Sequence, residues 1–133
     1  MNMDEKSGEI PSPKEERSAR ETVKIQIRAM ANNNEPYEDA GIETAFNFAS
    51  PKNKSSTGPI ERFKKMVKNP RYEYMLNSQS YSIEETDISE KEASIRAELE
   101  NKGSTITYEF NLSIQDSGKY EGCWMTDSVL RID

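Results

Sequence analysis

The chain has 133 residues, 33% hydrophobic and 32% charged, with a formal charge of −6. That length suits one domain, and the acidic balance argues against general affinity for nucleic acid or anionic membrane, which rests on a basic surface. The absence of histidine and the single cysteine, Cys123, exclude an internal disulfide, a structural zinc site, and Ser-His-Asp or Cys-His catalysis.

Residues 1–11 are polar and charged and read as a disordered tail ahead of a single domain over 12–133. Ser12-Pro13 with Glu15 predicts a helix start, serine as cap and proline in the first turn. Ala19, Val23, Ile27 and Met30 then form one apolar stripe, with Ile25 on the opposite face. Asn32-Asn33-Asn34 and Pro36 end this helix. A second helix is expected from Asp39, as cap, to Ala49, with Ile42, Ala45, Phe46 and Ala49 on one face. Ser50-Pro51 reads as its stop, followed by a loop to Gly58. Pro59 opens a third helix carrying Ile60, Phe63 and Val67, closed by Asn69-Pro70. A short helical turn is expected from Tyr72 to Leu76.

From there the apolar period changes from helical to two. Tyr81, Ile83 and Glu85 suggest a first strand. Ala93, Ile95, Ala97 and Leu99 alternate with polar residues, as in a half-buried antiparallel strand. After Asn101-Lys102-Gly103, the residues Ile106, Tyr108, Phe110, Leu112 and Ile114 alternate again. Asp116-Ser117-Gly118 turns into a last strand from Lys119 to Ile132. Helices first and a meander of four strands after them predict an α+β domain. Charge is sorted along this order. Residues 51–76 hold seven basic and two acidic side chains, whereas 77–133 hold five basic and twelve acidic ones.

Three passages carry a resemblance: Ala40-Gly41-Ile42-Glu43-Thr44-Ala45-Phe46-Asn47-Phe48-Ala49-Ser50-Pro51, then Thr57-Gly58-Pro59-Ile60-Glu61-Arg62-Phe63-Lys64-Lys65-Met66-Val67, and Gly122-Cys123-Trp124-Met125-Thr126-Asp127. With them, the stretch from Asp39 to Val129 resembles a family of small domains of unknown function in the nuclear-transport-factor-two-like superfamily, the cystatin-like α+β cone. The resemblance implies a curved antiparallel sheet wrapped around helices, a cone-shaped cavity, and frequent dimerisation through the sheet. The superfamily includes dehydratases, isomerases, epoxide hydrolases and non-catalytic binders, so it implies no single activity. The catalytic dyads of its enzymes do not map onto these motifs.

Candidate site residues follow from the elements. Alternation on the last strand puts Trp124 and Thr126 on one face and Cys123, Met125 and Asp127 on the other, with Gly122 as the place for a bulge. Phe46, Phe63, Phe110 and Trp124 are the expected apolar lining of a ligand cavity, and Asp127 and Arg62 its polar contacts. Asp127 is also the candidate acid or base, with Tyr108 or Tyr81 on a neighbouring strand as partner. Lys52, Lys54, Ser55, Ser56, Thr57, Gly58 and Arg62 form a basic approach to the third helix, where an anion or a solvated face is the alternative. Cys123 reads as a structural thiol. The leading expectation is non-catalytic binding of a small apolar ligand or a protein partner, in the cavity or on the sheet face. The alternative is a small lyase, isomerase or hydrolase using Asp127 with a tyrosine. No cofactor or metal is expected. No apolar run approaches the roughly 20 residues of a membrane span and no signal-peptide core is seen, so a soluble, cytoplasmic protein is expected.

Overall fold

The computed structural model describes residues 9–132. Four helices, α1 (Ala19–Ala31), α2 (Ala40–Phe48), α3 (Pro51–Thr57) and α4 (Ile60–Val67), precede a 3₁₀ turn at Glu73–Met75. Strands β1 (Ser80–Ile88), β2 (Glu92–Asn101), β3 (Ser104–Ile114) and β4 (Trp124–Arg131) follow. They pair in chain order as one antiparallel, unclosed sheet. The helices pack on this sheet, an α+β arrangement consistent with the cystatin-like cone. Among the described residues, no helix is long and apolar enough to cross a membrane.

Helix α1 buries the expected stripe of Ala19, Val23, Ile27 and Met30, but also Thr22 and Gln26. Its start lies six residues beyond the expected position. The Ser18 hydroxyl accepts from the Glu21 amide, and the Glu21 carboxylate accepts from the Ser18 amide, a reciprocal capping box. The segment before it runs without helix; Pro13 is buried, and the Pro11 carbonyl accepts from Asn47 Nδ2. Residues 1–8 of the expected tail lie outside the described residues.

Helices α1 and α2 approach so closely that only glycine fits at position 41. A Cβ there would lie 2.4 Å from the Ala29 carbonyl oxygen and 2.8 Å from Asn33 Oδ1. Asp39 occupies the cap position of α2, but its carboxylate does not cap. Asn33 does that work instead, accepting from the Ile42 amide through Oδ1 at 3.1 Å. The Asp39 carboxylate turns to Asn33 Nδ2 at 3.0 Å and Lys68 Nζ at 2.8 Å, tying the α1–α2 hairpin to the end of α4. Burial opposes its ionised form, yet the hydrogen bonds from Lys68 and Asn33 and the charges of Lys68 and Lys64 prevail. Together they hold its carboxyl below the usual aspartate value.

Alternation in β2 and β3 is as expected: Ala93, Ile95, Ala97 and Leu99 face Leu112, Phe110, Tyr108 and Ile106 across the ladder. All eight are buried in one core with the stripe of α1 and with Phe63 and Val67 of α4. Fully burying such a large side chain is worth about 1.5–3 kcal/mol, so this face fixes the strand register. The opposite face is polar, where Ser94 Oγ donates to Asn111 Oδ1 and Asn111 Nδ2 donates to Ser128 Oγ. Strand β4, at one edge of the sheet, has outward carbonyls that are already occupied. Thr126 accepts from the Ser50 amide and Asn53 Nδ2, and Val129 accepts from the Tyr72 hydroxyl. Such cover blunts an edge that would otherwise pair with another chain.

Two expectations about connections need correction. Ser50-Pro51 does not open a loop; it starts α3, with Ser50 Oγ accepting from the Asn53 amide and Pro51 in the first turn. The last strand begins at Trp124 rather than Lys119, because residues 116–122 form bends and turns. Gly118 and Gly122 adopt φ of +89° and +84° there, a backbone state that favours glycine.

Candidate functional site

A cavity of about 710 Å³ lies between the helices and the β3–β4 side of the sheet. Its buried lining comes from every layer: Met30 of α1, Ala45 of α2, Phe63 and Val67 of α4, Met75 of the 3₁₀ turn and Phe110 of β3. The lining residues that are exposed, Lys52, Ser56 and Glu92, mark its mouth. Helix α3 is thus one lip of the opening, contributing Lys52, Asn53, Ser56 and Thr57, and the start of β2 is another.

Thr126 is the junction that holds this site. Its hydroxyl accepts from Gln26 Nε2 at 2.8 Å, inside the core. Its carbonyl accepts from the Ser50 amide at 2.8 Å and from Asn53 Nδ2 at 3.1 Å. One residue of β4 therefore fixes α1 and α3 relative to the sheet. Each of these polar groups is buried or half-buried and paired, as interior polar groups must be.

The bulge that re-aims β4 is at Asp127, not at Gly122. Asn111 pairs with Ser128 and Leu112 with Thr126, so Asp127 is the extra residue without a partner across the ladder. A bulge interrupts strict alternation and turns a side chain out of its expected face. Thr126, Asp127, Ser128 and Val129 all contribute to the lining of the cavity, with Ser128 Oγ bonded to Asn111 on the polar face. The Asp127 side chain also borders a second hollow of about 260 Å³, with Asp87, Glu92 and Ser94.

The expected site residues divide. Phe63, Phe110 and Asp127 line the cavity. Phe46 does not; it backs Phe63, ring centroids 5.0 Å apart, and the Lys54 ammonium lies over its ring, 5.4 Å from the centroid. Trp124 is half-buried and packs against the core, paired with Ile114, outside the lining. Arg62 is exposed on α4 and also outside it. Tyr108 is fully buried, and its hydroxyl donates to the Arg71 carbonyl at 2.7 Å. Tyr81 is half-buried on β1, away from the cavity. Tyr72 does reach the lining, with its hydroxyl proton committed to Val129. The tyrosine expected to pair with Asp127 is therefore not brought to it.

The basic approach to α4 is a helix rather than a loop. The Gly58 amide donates to the Lys54 carbonyl, closing α3, and Pro59 stands at the cap of α4. Burial, with Lys119 nearby, pushes the Lys54 ammonium below its ordinary pKa. Cys123 is buried, and burial together with Glu15 and Glu16 pushes its thiol up, the environment of an inert thiol. Among the described residues, no group of three or more histidine, cysteine, aspartate or glutamate side chains is placed to hold a metal ion.

Gln26, Met30, Asn53 and Met75 were not expected in the site. Gln26 carried a signal: it is a polar residue within the apolar stripe of α1, where it needs a buried partner. The others depended on the tertiary arrangement. The chain matches no protein-family model and none of the curated proteins with which it was compared.

Proposed function

We propose that the chain is a non-catalytic binding domain that takes a small apolar or amphipathic molecule into the cavity between its helices and sheet. The observation that carries this reading is the cavity itself. It falls within the range of about 300–1,000 Å³ typical of small-molecule pockets, with an apolar floor and a few polar groups at the mouth. The second reading, a lyase, isomerase or hydrolase using Asp127 with a tyrosine, draws support from the placement of Asp127 in the wall. It is weakened by the engagement of the Tyr72 and Tyr108 hydroxyls elsewhere. A protein partner or a second copy on the outer sheet face has less support, because interface centres are depleted in charge and this face carries Arg96, Glu98 and Glu109.

The methionines supply the test. Met30, Met66 and Met75 line the cavity, whereas Met125 is buried outside it. With carbon-13 methyl-labelled methionine, titration of phenylbutanol is expected to shift the first three resonances saturably and leave Met125 in place. Shifts spread equally over all of them, or none, would remove the cavity as a binding site.

A further inference from the structure

We infer that the ligand of this cavity is an amphipathic organic cation, an apolar body with an ammonium or amidinium head that lies against Asp127. This deepens the cavity reading and rests on it. The apolar body follows from the floor of Met30, Phe63, Met75 and Phe110. The head follows from what stands above that floor.

Asp127 is half-buried in the wall, raised out of the ladder by the bulge, and makes no hydrogen bond or ion pair with another described residue. Its neighbours on β4 are already engaged: Thr126 with Gln26, Ser50 and Asn53, and Ser128 with Asn111. An ionised carboxylate accepts hydrogen bonds and cannot donate. A ligand that enters the cavity can supply a donor to it, and a cationic donor makes the stronger bond. Glu92, the other acidic residue in the lining, also has no side-chain partner among the described residues, and Asp87 borders the adjoining hollow. Lys52 is the sole base in the lining and stands exposed on the α3 lip. An anionic head would meet two carboxylates against this single, solvated ammonium. The acidic sheet half, with twelve acidic and five basic side chains over 77–133, adds a field that draws cations toward the same end.

Three probes of one shape test this: phenylbutylamine, phenylbutanol and phenylbutyrate, titrated into the full chain at low salt and read on the methionine methyls. The amine is expected to bind about tenfold more tightly than the alcohol, or about 1.4 kcal/mol, and the carboxylate more weakly than the alcohol. Asp127→Asn, nearly isosteric, should erase the preference for the amine and bring its affinity to that of the alcohol, since charge-assisted bonds carry the difference. Equal binding of amine and alcohol by the wild-type chain would overturn the cationic head while the cavity reading stands. A preference for the amine that survives in Asp127→Asn would also overturn it. Failure of both amine and alcohol to bind would overturn the cavity reading itself.

Discussion

At position 127 a single extra residue decides what the cavity wall can do. In an unbroken strand Asp127 would share a face with Met125 and alternate with Thr126, whose hydroxyl reaches Gln26 of α1. At the ladder shift between Asn111 and Leu112, Asp127 is the extra, unpaired residue and borders both the cavity and the adjoining hollow. Sequence reading foresaw a bulge in β4 but assigned it to Gly122, because glycine is the residue that usually marks one. Gly122 instead takes up a positive φ in the turn before the strand. Gly41 illustrates the opposite case, in which a glycine has no special φ but no room for a side chain. The carbonyl of Ala29 is backbone and cannot swing away, so Gly41→Ala must push α1 from α2. Overpacking of this kind costs about 1–3 kcal/mol. A urea titration should show the midpoint lowered with the slope unchanged; an unchanged midpoint would mean the two helices separate freely.

Among the elements, those with a long uninterrupted period were legible, and those set by a few residues were not. Strands β2 and β3 follow from alternation alone, since one face is buried along their whole length. Phe63 and Phe110 entered the cavity because a helix stripe and a strand face both point inward. The two Ser-Pro pairs were misread in opposite directions. Ser12-Pro13 looks like a helix start, yet α1 waits for Ser18, where Glu21 completes a reciprocal cap that Ser12 lacks. Ser50-Pro51 looks like a stop, yet it begins α3 at once, because the proline that ends one helix suits the first turn of the next. Helix α3 brings Asn53 to the lip of the cavity. The seven residues of α3 include no fully buried side chain, so its cap and its bonds to Thr126 carry much of its order. Ser50→Ala is expected to cost about 0.5–2 kcal/mol and to speed amide exchange in 53–58 more than in α1. Equal exchange in α3 of both proteins would show that the cap is dispensable.

Across the whole molecule, the network of Asp39, Asn33 and Lys68 joins three helices that the sheet alone does not align. The Asp39 side chain is nearly buried, while the Lys68 ammonium is half-exposed at 2.8 Å from it. The carboxyl is held below its ordinary value against the opposing effect of burial. A depressed carboxyl binds its proton more readily in the unfolded chain, whose aspartates titrate near about 3.9. Its contribution to stability is therefore fully present above about pH 4 and is lost as the pH falls through the lower, folded value. In Asp39→Asn the amide retains the shape, but neither the ion pair nor the titration. Its stability should lie below that of the wild-type chain at pH 6, and the gap should close progressively from about pH 4 downward. Ion pairs elsewhere, such as Glu43 with Lys64 at 3.3 Å, are the same in both proteins and cancel in the difference. Because one partner of the Asp39 pair is half-exposed, the gap at pH 6 should also narrow in high salt. Urea midpoints for the two proteins from pH 6 to pH 3 decide the matter. A gap that stays constant over that range would show that the network holds the helices through shape and neutral hydrogen bonds rather than through charge.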